Sequence, residues 1–129
     1  MNPTQTVHAF LTAMEKMDYD TALRYVADDI AYINGNTPPV SGPEGVRRTL
    51  EPFFTPLKEN QFRVLREATN GKVVIMERLD RHLADHGWFE LPVTGVMEVE
   101  NGKITYWREY FDMAVIQSDL AKLMAARKV

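Results

Sequence analysis

Apolar positions recur at helical spacing in the first half of the chain and alternate with polar ones in the second. Near the N-terminus Val7, Phe10, Leu11, Met14 and Met17 fall on one helical face. Asn2-Pro3 supplies a cap and a first helical position, and Gln5 stands where a capping box wants it. A short second helix is expected from Asp18 or Asp20, carrying Leu23 and Val26. Ile30–Asn34 reads as a strand. After the loop TPPVSG, Pro43 opens a third helix with Val46 and Leu50 on one face, expected to end or bend at Pro52.

From Gln61 onward the period is two. QFRVLREA alternates, Asn70-Gly71 is a hairpin signal, and VVIMERLDRHL returns. Asp85-His86-Gly87 turns the chain into WFELPVTGVMEVE, and Asn101-Gly102 turns it into KITYWREYFD. A last helix is expected near Met113–Arg127, with Ile116, Leu120, Leu123 and Met124 on its apolar side. Helices followed by a meander of long strands predict an α+β fold. The sheet should be mixed and strongly curved, forming a cone-shaped pocket packed with the N-terminal helices and the C-terminal one. No repeat, low-complexity tract or linker divides residues 1–129, so one domain is expected.

Some polar residues do not fit the apolar faces that carry them. Val74, Met76, Arg78, Asp80 and His82 share one side of their strand. Trp107, Glu109 and Phe111 share one side of the last strand, opposite Arg108, Tyr110 and Asp112. Tyr32 and Asn34 are two apart on the first. Leu91 and Val93, alternate positions of an intervening strand, complete the pocket wall expected from Met76, His82, Trp107 and Phe111.

Each has a plainer explanation. Arg78 and Asp80 suit a solvated cross-strand ion pair, Tyr32 and Asn34 a strand end, and Glu109 the surface. His8 suits a packing or surface position. The Met and Leu stripes of the terminal helices are most simply core. Burying an arginine and a carboxylate is costly unless both are fully hydrogen-bonded, so such a pair stays wet or is retained for a reason.

Composition narrows the functions. Apolar residues make up 45% and charged residues 26%, an ordinary globular balance. The net charge of -3, with no basic block, argues against a nucleic-acid partner. Zero cysteines remove disulfides and thiolate chemistry, and His82 and His86 have no third ligand at useful spacing, so no metal is expected. No run approaches the roughly 20 apolar residues of a membrane span. MNPTQTVHAF lacks the pattern of a signal peptide, so a cytoplasmic location is the default.

Two carboxylates bridged by one arginine can hold different protonation states, one acid and one base. A tyrosine hydroxyl and an asparagine amide can fix a water beside the base. That set suits adding water to a small, mostly apolar electrophile.

YIN at Tyr32–Asn34, ERLD at Glu77–Asp80 and GKITYWREYFD at Gly102–Asp112, in this order, resemble the limonene-1,2-epoxide hydrolase family. That family lies within the nuclear transport factor 2-like and SnoaL-like fold group. The fold group alone says little, since it hosts isomerases, cyclases, dehydratases and binding modules. The resemblance implies one-step epoxide opening with no cofactor and no covalent intermediate. It implies Asp80 as general acid, Arg78 as the bridge, and Tyr32 and Asn34 as the water's holders. The family's base is the aspartate of WRDYFD; here the motif reads WREYFD, which implies Glu109. Glutamate reaches roughly 1.5 Å further, and about 1 Å of misplacement can cost on the order of 100-fold in rate. His82 is a second departure, at a position the family fills with an apolar residue. It suits a substrate-oxygen ligand, an extra acid or base, or a rim residue. A homodimer is also implied by the resemblance.

Three functions therefore compete: a cofactor-free epoxide hydrolase giving a vicinal diol, a cofactor-free isomerase or lyase using Glu109 or Asp80 as base, and a small-ligand-binding module. Charges clustered on inward faces disfavour the last. A nucleophile elbow, needed for the covalent route of α/β-hydrolases, is absent.

Overall fold

The computed structural model describes residues 1–118. Helix α1 (Pro3–Glu15) begins as its sequence predicts: Asn2 Oδ1 accepts from the Gln5 N–H, and the Gln5 side chain accepts from the Asn2 N–H. The helix stops before Met17, which adopts a left-handed conformation at φ 56° and packs at the core margin. A single turn, α2 (Tyr19–Ala22), is capped by Asp18 and runs into a 3-10 turn at Leu23–Tyr25.

Strand β1 spans Val26–Asn34, so Val26 belongs to the sheet and not to the second helix. Its partner is Ile104, and the pairing slips before Ala31. The exposed pair Asp28-Asp29 lies in this irregular stretch, which hides the strand from a search for alternation. The prolyl loop contributes a two-residue strand, β2 (Val40–Ser41), before helix α3 (Gly42–Phe54). That helix does not end at Pro52. Its last turn places Phe53 and Phe54 in an aromatic cluster with Phe62, and this packing offsets the backbone hydrogen bond that proline cannot make.

The remaining strands are β3 (Glu59–Asn70), β4 (Val73–Ala84), β5 (Gly87–Glu100) and β6 (Lys103–Tyr110). They join one curved, open sheet in the order β2-β1-β6-β5-β4-β3. All neighbours are antiparallel except β1 and β6, which run parallel. A helical segment over residues 113–118 follows, containing Ile116. The positions expected to extend that face, Leu120, Leu123 and Met124, lie outside the described residues. Helix α1 packs Val7, Phe10, Leu11 and Met14 onto the concave face of the sheet, with Ile30, Val74, Met97 and Ile104 beneath. No described helix is long and apolar enough to cross a membrane.

Candidate active site

A cavity of about 240 Å³ lies between the helices and the concave face. Strand β4 buries every second residue from Val74 to Ala84, so Arg78, Asp80 and His82 face inward together. Glu109 faces inward from β6, one strand beyond β5. Arg78 crosses β5 to reach it. The guanidinium donates to both carboxylates: Nε to Asp80 Oδ1 at 3.0 Å, Nη2 to Asp80 Oδ2 at 3.0 Å and Glu109 Oε1 at 2.6 Å, Nη1 to Glu109 Oε2 at 3.3 Å.

Gly95 makes this crossing possible. It pairs with Met76 on one side and Glu109 on the other. A Cβ there would stand 2.7 Å from Glu109 Oε2 and 2.8 Å from Arg78 Nη1, closer than any side chain tolerates. The added methylene of glutamate, relative to aspartate, is thus accommodated over bare backbone.

Arg78, Asp80 and Glu109 are 2%, 5% and 4% exposed. One positive charge cannot neutralise two buried carboxylates, so the cluster favours holding one extra proton. Burial raises the Glu109 pKa, Arg78 opposes the rise, and the charge of Asp80 adds to it. Burial alone would loosen the proton on Arg78, but Glu109 and Asp80 outweigh it and hold the guanidinium more firmly charged than usual. Burial, and then the charge of Glu109, push the Tyr32 phenol well above its ordinary range, so it stays neutral.

Parallel pairing sets Tyr32 beside Trp107 and Asn34 beside Glu109. Tyr32 stacks on the Trp107 ring at 4.1 Å and 15°, and its buried hydroxyl has no hydrogen-bond partner. Asn34 anchors the following turn through its backbone carbonyl, which accepts from Thr37, and both Tyr32 and Asn34 line the cavity. A phenol and a carboxamide beside a buried carboxylate can hold a water in position for deprotonation.

Leu91 and Val93 lie directly across from Asp80 and Arg78 and form the wall, as expected. Phe111 also lines the cavity, but from beyond β6, which ends at Tyr110. Its ring lies 2.8 Å from where a Cβ on Gly35 would be, and Gly35 adopts φ 58°. Met76 shares the Arg78 face yet does not touch the cavity; it sits opposite Gly95 within the hydrophobic core. His82 is no rim residue. It is 2% exposed and lines the cavity. His8 is a surface residue bonded to Glu67 at 2.7 Å.

The apolar stripe of α1, expected as core, gives part of the wall: Phe10, Leu11 and Met14 face the same cavity, as do Leu50 and Phe53 of α3. A helical stripe looks the same whether it covers side chains or a void. Gly95 carried a usable signal, since a lone glycine inside a strand suggests close approach by another group. Among the described residues no cluster of three histidines or carboxylates could hold a metal ion.

The model of the limonene-1,2-epoxide hydrolase catalytic domain matches residues 1–122. Epoxide hydrolase EphG of Mycobacterium tuberculosis is 36% identical over 113 residues, covering 83% of this chain and 71% of that protein. The chain belongs to the limonene-1,2-epoxide hydrolase family. Among solved structures, an M. tuberculosis LEH-like epoxide hydrolase superposes with a TM-score of 0.79 at 28% identity, over 96% of this chain and 92% of that one. A SnoaL-like protein of Shewanella putrefaciens CN-32 reaches 0.82 at 15% identity, covering 93% and 96%, and shares the fold.

Proposed function

We propose that this chain adds water to a small, mostly apolar epoxide in one step, giving a vicinal diol without a cofactor. The observation that supports this best is the Arg78 guanidinium forked between two buried carboxylates at the head of an apolar cavity. Asp80, protonated, gives its proton to the epoxide oxygen as the C–O bond breaks. Glu109, ionised, takes a proton from the water that attacks the carbon. Tyr32 and Asn34 hold that water, and Arg78 stays charged and keeps both carboxyl groups in place. After the step Glu109 holds the proton and Asp80 does not, and one proton transfer between them resets the site. Leu91, Val93, Trp107 and Phe111 exclude bulk water and grip the hydrocarbon.

The reading includes a cytoplasmic homodimer of single-domain chains, for which the exposed strand residues Leu65, Ile75 and Tyr110 offer apolar surface. The test is a product screen of terpene, cyclohexene and styrene oxides against buffer blanks, with one turnover in heavy-oxygen water. The label should enter the diol and not the protein, with the rate indifferent to a chelator. Label in a peptide containing Glu109 or Asp80 would show a covalent route. No diol from any of these epoxides would shift attention to proton abstraction.

A further inference from the structure

Strand β6 carries a buried donor that the chemistry above leaves unused. Trp107 lies two residues before Glu109, so both side chains face inward. Its indole is clamped by two rings. Tyr32 stacks on it at 4.1 Å and 15°, and Phe10 of α1 meets it nearly edge-on at 5.1 Å and 80°. Packing of this kind fixes where Nε1 points. That nitrogen is buried and, among the described residues, makes no hydrogen bond of regular geometry. An indole N–H can only donate, and burying it unmatched costs free energy. A phenylalanine would stack in the same place without that cost.

Its neighbours decide what it can donate to. Trp107 and Glu109 line the same cavity. Burial raises the Glu109 pKa and Arg78 opposes the rise, but the Trp107 side chain, as a hydrogen-bond donor, also lowers it. The indole N–H therefore lies within reach of the carboxylate without being aligned on it. Arg78 and Asp80 act on Glu109 from β4 and Tyr32 from β1, while Asn34 stands beside it and β5 presents Gly95 there. Helices α1 and α3 bring no ionisable side chain to the cavity wall.

An ionised carboxylate has about four acceptor sites. Arg78 fills one on each oxygen, at 2.6 and 3.3 Å, and the attacking water takes a third. The water itself has no use for the indole. Its two hydrogens go to Glu109 and Asn34, one lone pair faces the carbon, and Tyr32 donates to the other. We infer that Trp107 is a positioning residue for the base: its N–H donates to the fourth acceptor site of ionised Glu109 and steadies the oxygen that takes the water's proton. It offsets part of what burial does, so that Glu109 is ionised when the epoxide arrives. This deepens the hydrolase reading, which supplies the water and the epoxide.

The chain has two tryptophans, so the indole N–H resonances test the contact without any substrate. The Trp107 proton should move downfield as pH rises through the ionisation of Glu109, and should stay still in Glu109→Gln. Trp88, stacked under Arg81, is the control. A Trp107 resonance that does not titrate, or that titrates equally in Glu109→Gln, overturns the inference. Trp107→Phe keeps an aromatic ring against Tyr32 and removes the donor. With an epoxide that is turned over, kcat should fall about tenfold at unchanged KM, the worth of a hydrogen bond to a charged group. The acid limb of kcat should move to higher pH. An unmoved limb means that ring packing is all Trp107 provides, and overturns the inference. If Trp107→Phe fails to fold, the wild-type titration decides alone. A resonance that follows Glu109 while no epoxide is opened keeps the Trp107–Glu109 contact and removes the hydrolase reading.

Discussion

The two ends of the cavity bury polar groups in different ways. At the Arg78 end the groups are ionic, and their partners all lie within the site: one guanidinium serves two carboxylates. At the His82 end a histidine–asparagine pair with a 2.9 Å contact sits among aromatic rings. The ionic end depends on its shared cation: losing Arg78 strands buried carboxylates, at about 3–5 kcal/mol. Groups that satisfy one another across a shared guanidinium are held ready to exchange protons.

The ionic end should break first and hardest. Asp80→Asn removes the acidic proton but keeps an acceptor for Arg78, so kcat should fall about 10²–10⁴-fold with the far-UV spectrum unchanged. Near-normal turnover would end the assignment of Asp80 as acid. Tyr32→Phe should be much milder, at about five- to tenfold, the worth of one hydrogen bond.

Glu109→Gln should cost a similar 10²–10⁴-fold in kcat while substrate still binds, because the amide keeps the shape but not the basicity. Glu109→Asp should keep measurable turnover, about 100-fold down, since the shorter acid retreats from the water. Asp112→Asn is the control. Asp112 is exposed and caps the segment after β6 through the Ala114 N–H at 2.9 Å, a bond that asparagine also makes. A dead Asp112→Asn beside a tolerated Glu109→Gln would transfer the base to Asp112.

Gly95→Ala sharpens the comparison, because it adds one methyl group only at the ionic end. The new Cβ must part Glu109 from Arg78, costing about 1–3 kcal/mol in denaturant unfolding together with a fall in kcat. Unchanged stability and turnover would mean the crossing over β5 is looser than its distances imply.

The smallest effect is with pH. Glu109 has its pKa raised by burial, so the acid limb of kcat should lie above the ordinary glutamate value of 4.5. For stability the sign is opposite to that of a paired surface acid. Between 4.5 and the raised value the native state holds the proton more tightly than the unfolded chain. The contribution is therefore full below that window and lost as pH rises through it. Denaturant midpoints of wild type and Glu109→Gln across the window should show this loss in wild type alone.

Strand alternation made the ionic side of the cavity legible. Arg78, Asp80 and Glu109 stand out because charges interrupt apolar faces, and a period of two leaves no choice of side. The opposite wall was not legible, since Phe10, Leu11, Met14 and Phe53 obey the same periodicity as residues packed against solid core. Met76 failed for the complementary reason: alternation gives a side of the sheet, but not how far along it the cavity reaches. Val26 was lost to an irregular pairing, and α3 runs two residues past Pro52 because tertiary packing outweighs the local propensity to stop there. Asn60 lies one residue before the alternating stretch, where nothing local marks it as a partner of His82.

The parallel pairing of β1 with β6 has a kinetic consequence. Strands β3 to β6 follow one another through tight turns, so their pairings are local and can form early in folding. Strand β1 is separated from β6 by α3 and the entire meander, and closing so long a loop is slow. Tyr32 and Asn34 ride on β1, whereas Arg78, Asp80 and Glu109 belong to the meander. In a refolding experiment, therefore, sheet signal and burial of the carboxylates should appear first, and hydrolytic activity only in the last phase, when β1 docks.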